Sequence, residues 1–234
     1  MERVKTHIQG FDEALGGGIP KGHVILITGT PGTMKTTLAF SILYRNVKEG
    51  SKGLYISLEE NYEDLKGAMT DLVVFLEGDD LEQYLLDVSK IRLEHKEEEL
   101  DKNWLEILMK YIEQRVKVNH FDLVAVDGLA ALYSLHRMEN PRRELFHFFG
   151  FLRSLDATTF LIAEVPSGDN GRLSRYDEEF LADGVLYVRH HEIGETDVQL
   201  RIRCVKMRRA KHEHGYFALI RNDGQFMITR PISE

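Results

Sequence analysis

An eight-residue stretch near the start of the chain carries residue types that bind phosphate groups. It reads Gly29-Thr30-Pro31-Gly32-Thr33-Met34-Lys35-Thr36 and fits the P-loop pattern GxxxxGK(S/T) except at Met34, where the pattern has glycine. In a P-loop, backbone N–H groups point at nucleotide phosphates, the lysine neutralises the β and γ oxygens, and the last hydroxyl ligates Mg²⁺. The predicted nucleotide contacts are Thr30, Pro31, Gly32, Thr33, Met34, Lys35, Thr36 and Thr37. The alternative is a glycine turn with an incidental lysine and threonine.

Met34 departs from the pattern at the last residue before the lysine. If this position needs a positive φ, a residue with a Cβ costs about 1–2 kcal/mol. Micromolar binding corresponds to about 8 kcal/mol, so a loss of that size weakens nucleotide binding roughly tenfold without abolishing it. The departure therefore bears on fast turnover more than on binding.

The periodicity of the chain predicts which elements position this loop. An apolar run at residues 24–28 predicts a buried strand before the loop, and helical spacing of apolar residues follows it. Further strands are predicted at 54–58, 121–127 and 159–163, with helices from about Tyr62, from the acidic run 97–101 and from Asn140-Pro141. Strands with short turns follow at 185–190, 198–206, 216–220 and 226–229. The expected fold is α/β, a mostly parallel sheet flanked by helices with antiparallel C-terminal strands.

Acidic residues lie at the ends of three of the predicted strands, and parallel strands end at one edge of a sheet. Asp127 ends the strand from residue 121, where a P-loop protein has a second magnesium-coordinating acid. Glu59 and Glu60 follow the second strand, and one of them could deprotonate a water aimed at the γ-phosphate. Glu164 could sense that phosphate. The alternatives are a turn residue at 127 and acids at 59 and 60 that cap the helix from Tyr62.

Composition limits the class of protein. The chain has 234 residues, a net charge of −8 and one cysteine, which fits one buried domain over residues 1–234 without internal disulfides. It shows neither the apolar run of a signal peptide nor the ~18 apolar residues of a membrane span, so we expect a soluble, cytoplasmic protein without membrane contact. The acidic balance opposes a broad nucleic-acid surface but leaves room for a local basic patch.

Seven segments occur in the order seen in the KaiC-like branch of RecA-superfamily ATPases. They are Arg3-Val4-Lys5-Thr6 with Gly10-Phe11-Asp12, Leu15-Gly16-Gly17-Gly18-Ile19-Pro20, the P-loop, residues 55–60, residues 123–127, Leu181-Ala182-Asp183-Gly184-Val185 and Val205-Lys206-Met207-Arg208. The chain resembles this family over essentially its whole length. The resemblance implies a RecA-type P-loop NTPase core, ATP with Mg²⁺ on Thr36 and Asp127, and a homo-hexameric ring with nucleotide between subunits.

The resemblance also implies roles for two pairs of residues. Glu59 and Glu60 match the family's catalytic glutamates. Lys206 and Arg208 match a Lys-Met-Arg segment whose cations reach the γ-phosphate of a neighbouring subunit and stabilise charge in the transition state, which makes hydrolysis depend on assembly. The local alternative for these cations is a solvated basic hairpin.

The chain departs from the family's pattern at several positions. Besides Met34, His7 and Arg209 stand where the family tends to have glycine, and Gly128 stands where a serine commonly follows the acid. These departures imply slower catalysis than is ordinary for the family. Clock proteins of the KaiC type carry two such domains in one chain, so a timekeeping role or a phosphorylation cycle does not carry over.

Two further sets of residues can be interpreted either as exposed surface residues or as binding sites. The counterparts of the superfamily's channel loops contain basic residues, which fit exposed loop charges or a weak grip on a nucleic-acid backbone. These residues are His136, Arg137, Arg142, Arg143, Arg172 and Arg175. His190-His191, His212 and His214 lack the cysteine or carboxylate partners of a metal site and are interpreted as surface residues.

The sequence as a whole predicts a slowly ATP-hydrolysing, ring-forming regulatory ATPase. The alternatives are an ATP-gated binding switch that does not hydrolyse and a recombination accessory that binds single-stranded DNA. The sequence does not identify a protein partner.

Overall fold

The computed structural model describes residues 2–72, 85–87, 97–135, 138–165 and 171–231. Their strands are β1 (Arg3–Val4), β2 (Ile19–Pro20), β3 (Val24–Gly29), β4 (Gly53–Ser57), β5 (Leu85–Asp87), β6 (Leu123–Asp127), β7 (Thr158–Glu164), β8 (Gly184–Ile193), β9 (Asp197–Met207), β10 (Phe217–Asn222) and β11 (Gln225–Thr229). Their helices are α1 (Phe11–Ala14), α2 (Lys35–Lys48), α3 (Tyr62–Leu72), α4 (Glu97–Asn119), α5 (Leu129–Leu135), α6 (Pro141–Arg153) and α7 (Glu178–Leu181).

The central sheet of the described residues has nine strands in the order β11-β10-β9-β8-β3-β7-β6-β4-β5. The six strands from β8 to β5 run parallel, and β9, β10 and β11 continue the sheet in antiparallel fashion. The predicted α/β class, with its antiparallel C-terminal strands, is confirmed. The hairpin β1–β2, the short strand β5 and the helices α1, α5 and α7 were not predicted.

Helices cover both faces of the parallel strands, which explains why these strands are continuous apolar runs. Along β3, Ile25 and Ile27 pack on the face covered by α2, whereas Val24 and Leu26 pack on the face covered by α4, α5 and α6. Every residue of β3 is buried. The first strand before the P-loop is therefore the centre of the fold, and it fixes the position of the loop that follows.

Local capping sets two of the predicted helix starts. The Asn140 side chain accepts a hydrogen bond from the Arg143 backbone N–H at 3.1 Å, with Pro141 as the first helical residue. Asn61 caps α3 in the same way by accepting from the Asp64 backbone N–H at 3.0 Å. The cap of α3 is thus Asn61, so Glu59 and Glu60 are not needed for that role.

Cys204 lies in β9 within the core and is 1% exposed. Its thiol donates to the Lys206 carbonyl at 3.3 Å. Burial raises the pKa of the Cys204 thiol to about 12. Within the described residues, none of the helices is long and apolar enough to cross a membrane.

Candidate nucleotide site

The P-loop connects β3 to α2 and is held by hydrogen bonds among its own residues. Gly32 has φ 78°, and Met34 is the residue before α2 with φ 61° and ψ 26°. The Thr33 hydroxyl donates to the Thr30 carbonyl at 2.7 Å, and the Lys35 ammonium donates to the same carbonyl at 2.9 Å. The left-handed region expected for position 34 is therefore present before any ligand binds, so its strain falls on folding and not on nucleotide binding.

Three carboxylates meet the P-loop at the carboxyl edge of the sheet. Glu164, at the end of β7, places a side-chain oxygen 4.0 Å from the Lys35 ammonium. Asp127, at the end of β6, is 8% exposed and accepts hydrogen bonds from the hydroxyls of Tyr55, at 2.6 Å, and Thr36. Glu59 follows β4 and is close enough for its negative charge to raise the pKa of Lys35.

These residues line one cavity of about 360 Å³. Its walls are residues 32–37 of the P-loop, residues 127–130, residues 162–164 and Glu59. Predicted site residues from four separate strand ends are thus brought together. Glu60 is not among the residues that line the cavity. Its backbone N–H donates to the Ser57 hydroxyl at 2.9 Å.

The site carries more negative than positive charge. Burial raises the pKa of Asp127, and hydrogen bonds from Tyr55 and Thr36 oppose that rise. Burial, Asp127 and Glu164 raise the pKa of Glu59. Burial lowers the pKa of Lys35, although Glu164, Asp127 and Glu59 oppose it. A site in which carboxylates crowd one lysine calls for a further cation when a polyphosphate binds.

The residues present fit Mg²⁺ at this point. Magnesium prefers oxygen ligands and usually takes one or two from protein, with the rest from phosphate and water. The Thr36 hydroxyl and the Asp127 carboxylate are already hydrogen-bonded to each other, so both oxygens face one spot beside the P-loop. They could hold the metal while Lys35 meets the phosphates.

Gly128 allows Glu59 to lie where it does, a relation that the sequence did not reveal. Gly128 has φ 93°, and a Cβ built on it would lie 2.6 Å from Glu59 Cγ and 2.9 Å from Glu59 Oε1. The Glu59 carboxylate accepts a hydrogen bond from the Ala131 backbone N–H in the first turn of α5. Glycine at position 128, where the family commonly has serine, therefore leaves the space that the Glu59 side chain occupies at the cavity wall.

Lys206 and Arg208 lie elsewhere, bound to carbonyls and an acid of their own chain. The Lys206 ammonium donates to the Ala182 carbonyl at 2.6 Å and to the Phe180 carbonyl at 3.3 Å. Arg208 donates to the Asp183 carboxylate at 2.9 Å and to the Phe180 carbonyl at 3.1 Å. Burial and the neighbouring Arg208 lower the pKa of Lys206.

The strand register puts these cations near the amino-terminal ends of the parallel strands, whereas the P-loop lies at their carboxyl-terminal ends. Met207 pairs with Gly184, and Gly184 pairs with Ile25 near the start of β3. The P-loop follows the other end of β3 at Gly29. The intervening four residues of strand span about 13 Å at ~3.3 Å per residue, beyond the reach of either side chain into its own cavity.

The remaining candidates do not form a second site in the described residues. His190 lies against the P-loop, with its Cε1 3.8 Å from the position of a Cβ on Gly32. No group of three or more His, Cys, Asp or Glu in the described residues could hold a metal ion. Arg142 forms an ion pair with Asp177 at 2.6 Å. Of the other loop residues, His136 and Arg137 lie outside the residues described.

The sheet and the cavity define a P-loop protein with a RecA-type core. A family model described as "ATPase: KaiC" matches residues 4–230, and the chain belongs to this KaiC ATPase family. The resemblance to the KaiC-like branch is thereby confirmed.

Known relatives agree with this assignment. Circadian clock protein KaiC3 of a Synechocystis species is 28% identical over 241 residues, which cover 100% of this chain and 46% of the relative. Circadian clock oscillator protein KaiC 1 of the same species is 30% identical over 232 residues, 96% of this chain and 44% of the relative. The chain therefore spans about half the length of the curated relatives it matches.

A solved structure matches the fold over nearly its full length. The KaiC-like protein PH0186 from Pyrococcus horikoshii OT3 has a TM-score of 0.79 and 27% sequence identity, and the match covers 97% of this chain and 99% of that chain. The RecA-type core with antiparallel C-terminal strands is thus shared with an archaeal KaiC-like protein.

Proposed function

We propose that residues 1–234 act as one ATPase domain that binds MgATP in the P-loop cavity and hydrolyses it slowly as a regulatory ATPase within a ring of identical subunits. The observation that carries the proposal is the grouping of Lys35, Thr36, Asp127 and Glu59 around one cavity. It supplies a cation for phosphate oxygens, a hydroxyl and a carboxylate for a metal, and a second carboxylate for water.

Each residue has a distinct role in the proposed reaction. Lys35 exchanges its bond to the Thr30 carbonyl for the β and γ oxygens. Thr36 and Asp127 hold Mg²⁺, which neutralises phosphate charge when bound. Glu59 accepts a proton from the water that attacks the γ-phosphorus, as the bond from that phosphorus to the β–γ bridging oxygen breaks and ADP leaves.

We propose that Lys206 and Arg208 serve the cavity of the next subunit. They lie at the opposite edge of the sheet from their own P-loop, and the cavity is rich in carboxylates. A neighbour that docks with its β9 end toward this cavity would bring two cations to the γ-phosphate. In a closed ring, every subunit would provide these two cations to one neighbour and receive two from the other. In an isolated subunit the site lacks these cations, which accounts for the low rate expected there.

Two substitutions test binding and chemistry separately. Lys35→Ala should weaken ATP binding at least 100-fold in calorimetry, because the buried ammonium is the main positive charge in the cavity. Glu59→Gln should leave the ATP Kd within about threefold but lower single-turnover hydrolysis by about 10²–10⁴, the range of a general base.

Glu63→Gln is the matched control, since it removes an exposed acid four residues along the chain. ATP binding by Lys35→Ala at parental strength would refute the proposed site. Bound ATP that persists for hours in the parent protein would instead favour the non-hydrolysing switch.

A further inference from the structure

Two arginines and two tyrosines form a cluster on the outer face of the antiparallel strands. Tyr187 on β8 pairs with Arg203 on β9. The pairing of Phe217 with Ile202 places Tyr216 beside Arg203 on the third strand. Arg189 lies two residues along β8 from Tyr187 and so on the same face. We call Tyr187, Arg189, Arg203 and Tyr216 the arginine–tyrosine cluster.

The tyrosine rings hold both guanidinium groups in place. The Arg189 Cζ lies 4.2 Å from the centre of the Tyr216 ring, and the Arg203 Cζ lies 4.8 Å from the same centre. Arg203 also lies 5.9 Å from the centre of the Tyr187 ring. Stacking on aromatic rings orders an arginine without using its N–H donors. The cluster therefore presents two ordered forks of donors.

These donors lack an acceptor in the described residues. The Nε atoms of Arg189 and Arg203 are both buried and make no hydrogen bond there. Among the ion pairs of the described residues, none involves either arginine. The acid nearest to Arg189 along β8, Glu192, is an odd number of residues away and points to the other face.

A third arginine increases the positive charge. Arg201 is cross-strand partner to Arg189 and is 8% exposed, with its Nε bonded to the Gln199 side chain at 2.9 Å. The Arg201 charge lies opposite that of Arg189, and like charges opposite each other destabilise a sheet. An anion bound to the arginines at this face would reduce that repulsion.

We propose that the arginine–tyrosine cluster is a binding site for a phosphate group, separate from the P-loop. Guanidinium forks match the oxygens of phosphate in paired hydrogen bonds. Two forks suit one compact oxyanion, whereas the net charge of −8 opposes a long polyanion. The site lies on the opposite face of the sheet from the P-loop, because His190, next to Arg189, lies against Gly32. This site does not depend on the proposed ATPase activity.

Equilibrium dialysis with radiolabelled inorganic phosphate, without Mg²⁺, tests the proposal. The Lys35→Ala background weakens the P-loop, so that the remaining binding reports the cluster. We expect about one phosphate per chain in Lys35→Ala and at least tenfold weaker binding after Arg189→Gln and Arg203→Gln are added. Arg189→Lys with Arg203→Lys should give an intermediate loss, because lysine keeps the charge but not the fork.

The matched control is Arg143→Gln in the same background, which removes an exposed arginine on α6 and should not change binding.

Competition by AMP would assign the site to nucleotide phosphates, and resistance to AMP would assign it to free phosphate. Phosphate binding that is absent from Lys35→Ala, or unchanged by both glutamines, overturns the proposal. Salt-sensitive binding of a single-stranded oligonucleotide through Arg189 and Arg203, without phosphate binding, replaces it with a polyanion surface. A cooperative melting transition checks that each variant is folded, and a phosphate-dependent rise in melting temperature should be lost only in the cluster variants.

Discussion

Individual departures from the family's pattern share a backbone explanation. His7, Met34 and Arg209, which stand where the family tends to have glycine, have φ of 55°, 61° and 59°. The chain thus keeps the left-handed conformation that glycine adopts freely, although each side chain makes it less favourable. Gly128 is the reverse case, since its φ of 93° and the nearby Glu59 side chain both require a residue without Cβ.

Gly128→Ala should lower hydrolysis through Glu59. The new Cβ would lie 2.6 Å from Glu59 Cγ, so the carboxylate must leave the Ala131 N–H and the cavity wall. We expect single-turnover hydrolysis to fall about 10–100-fold, part of what a general base contributes, with the ATP Kd within about threefold.

The control for this prediction is Gly194→Ala. Gly194 also has a positive φ, 58°, but nothing lies within 4 Å of the added Cβ. Equal hydrolysis in the two alanine variants would contradict the proposed coupling. Adding Gly128→Ala to Glu59→Gln should bring little further loss, because both changes remove the same group.

Asp127→Asn should stabilise the nucleotide-free protein at neutral pH. The pKa of Asp127 is raised in the folded state, mainly by burial. The folded state therefore binds more protons than the unfolded state as pH rises above 3.8, and stability falls through that window. Asparagine does not ionise, so thermal melting from pH 3.5 to 7 should show a smaller fall and a higher melting temperature at pH 7. The same variant should lose Mg²⁺-dependent ATP binding, and a lower melting temperature at pH 7 would count against this account.

At the scale of elements, the sequence predicted what depends on neighbouring residues. Buried parallel strands were predicted from apolar runs, and the start of helix α6 was predicted from Asn140 and Pro141. The sequence did not predict contacts between distant segments. Helix α5 begins two residues after Asp127, and its Ala131 N–H donates to Glu59, 72 residues earlier. Likewise, the meeting of Arg189, Arg203 and Tyr216 depends on the register of three strands, which turn lengths and bulges set.

The cap of α6 gives a prediction at this scale. Asn140→Ala removes the acceptor of the Arg143 N–H and should cost about 1 kcal/mol. For a chain of this size the melting temperature should fall by roughly 2–4 °C. Ser134→Ala serves as control, because it removes a side-chain hydrogen bond to a helix carbonyl without uncapping a helix. A fall no larger than that of the control would mean that the cap contributes little.

At the scale of the whole molecule, the sheet separates the groups that the proposed reaction needs. The cavity acids and Lys35 lie at the carboxyl edge, and Lys206 and Arg208 lie at the other edge. Asp183 holds Arg208 together with Arg153, which donates to the same carboxylate at 3.1 Å. Burial alone would raise the pKa of Asp183, but its hydrogen bonds with Arg153 and the Val24 N–H lower it. These contacts fix Arg208 in position, which supports the proposal that it serves a neighbouring subunit.

Mixing two inactive variants tests whether a neighbour completes the site. Glu59→Gln and Arg208→Ala should each hydrolyse ATP poorly alone. In rings formed from an equal mixture, about one interface in four combines an intact Glu59 with an intact Arg208, so activity should recover to roughly that fraction of the parent.

Lys211→Ala, which removes an exposed cation nearby, should keep parental activity in the same assay. No recovery on mixing, despite a native mass that shows assembly, would contradict the shared site. Activity of Arg208→Ala alone at the parental rate would do the same.

The burial of Cys204 makes the chain its own reporter of strand opening. A thiol with a pKa near 12 holds almost no thiolate at neutral pH, and only thiolate reacts with disulfide reagents. The labelling rate of the native protein therefore measures how often β9 leaves the sheet and exposes its sulfur. Since β9 contains Lys206 and ends one residue before Arg208, slower labelling with MgATP is expected if the proposed neighbour docks there and holds that strand in the sheet.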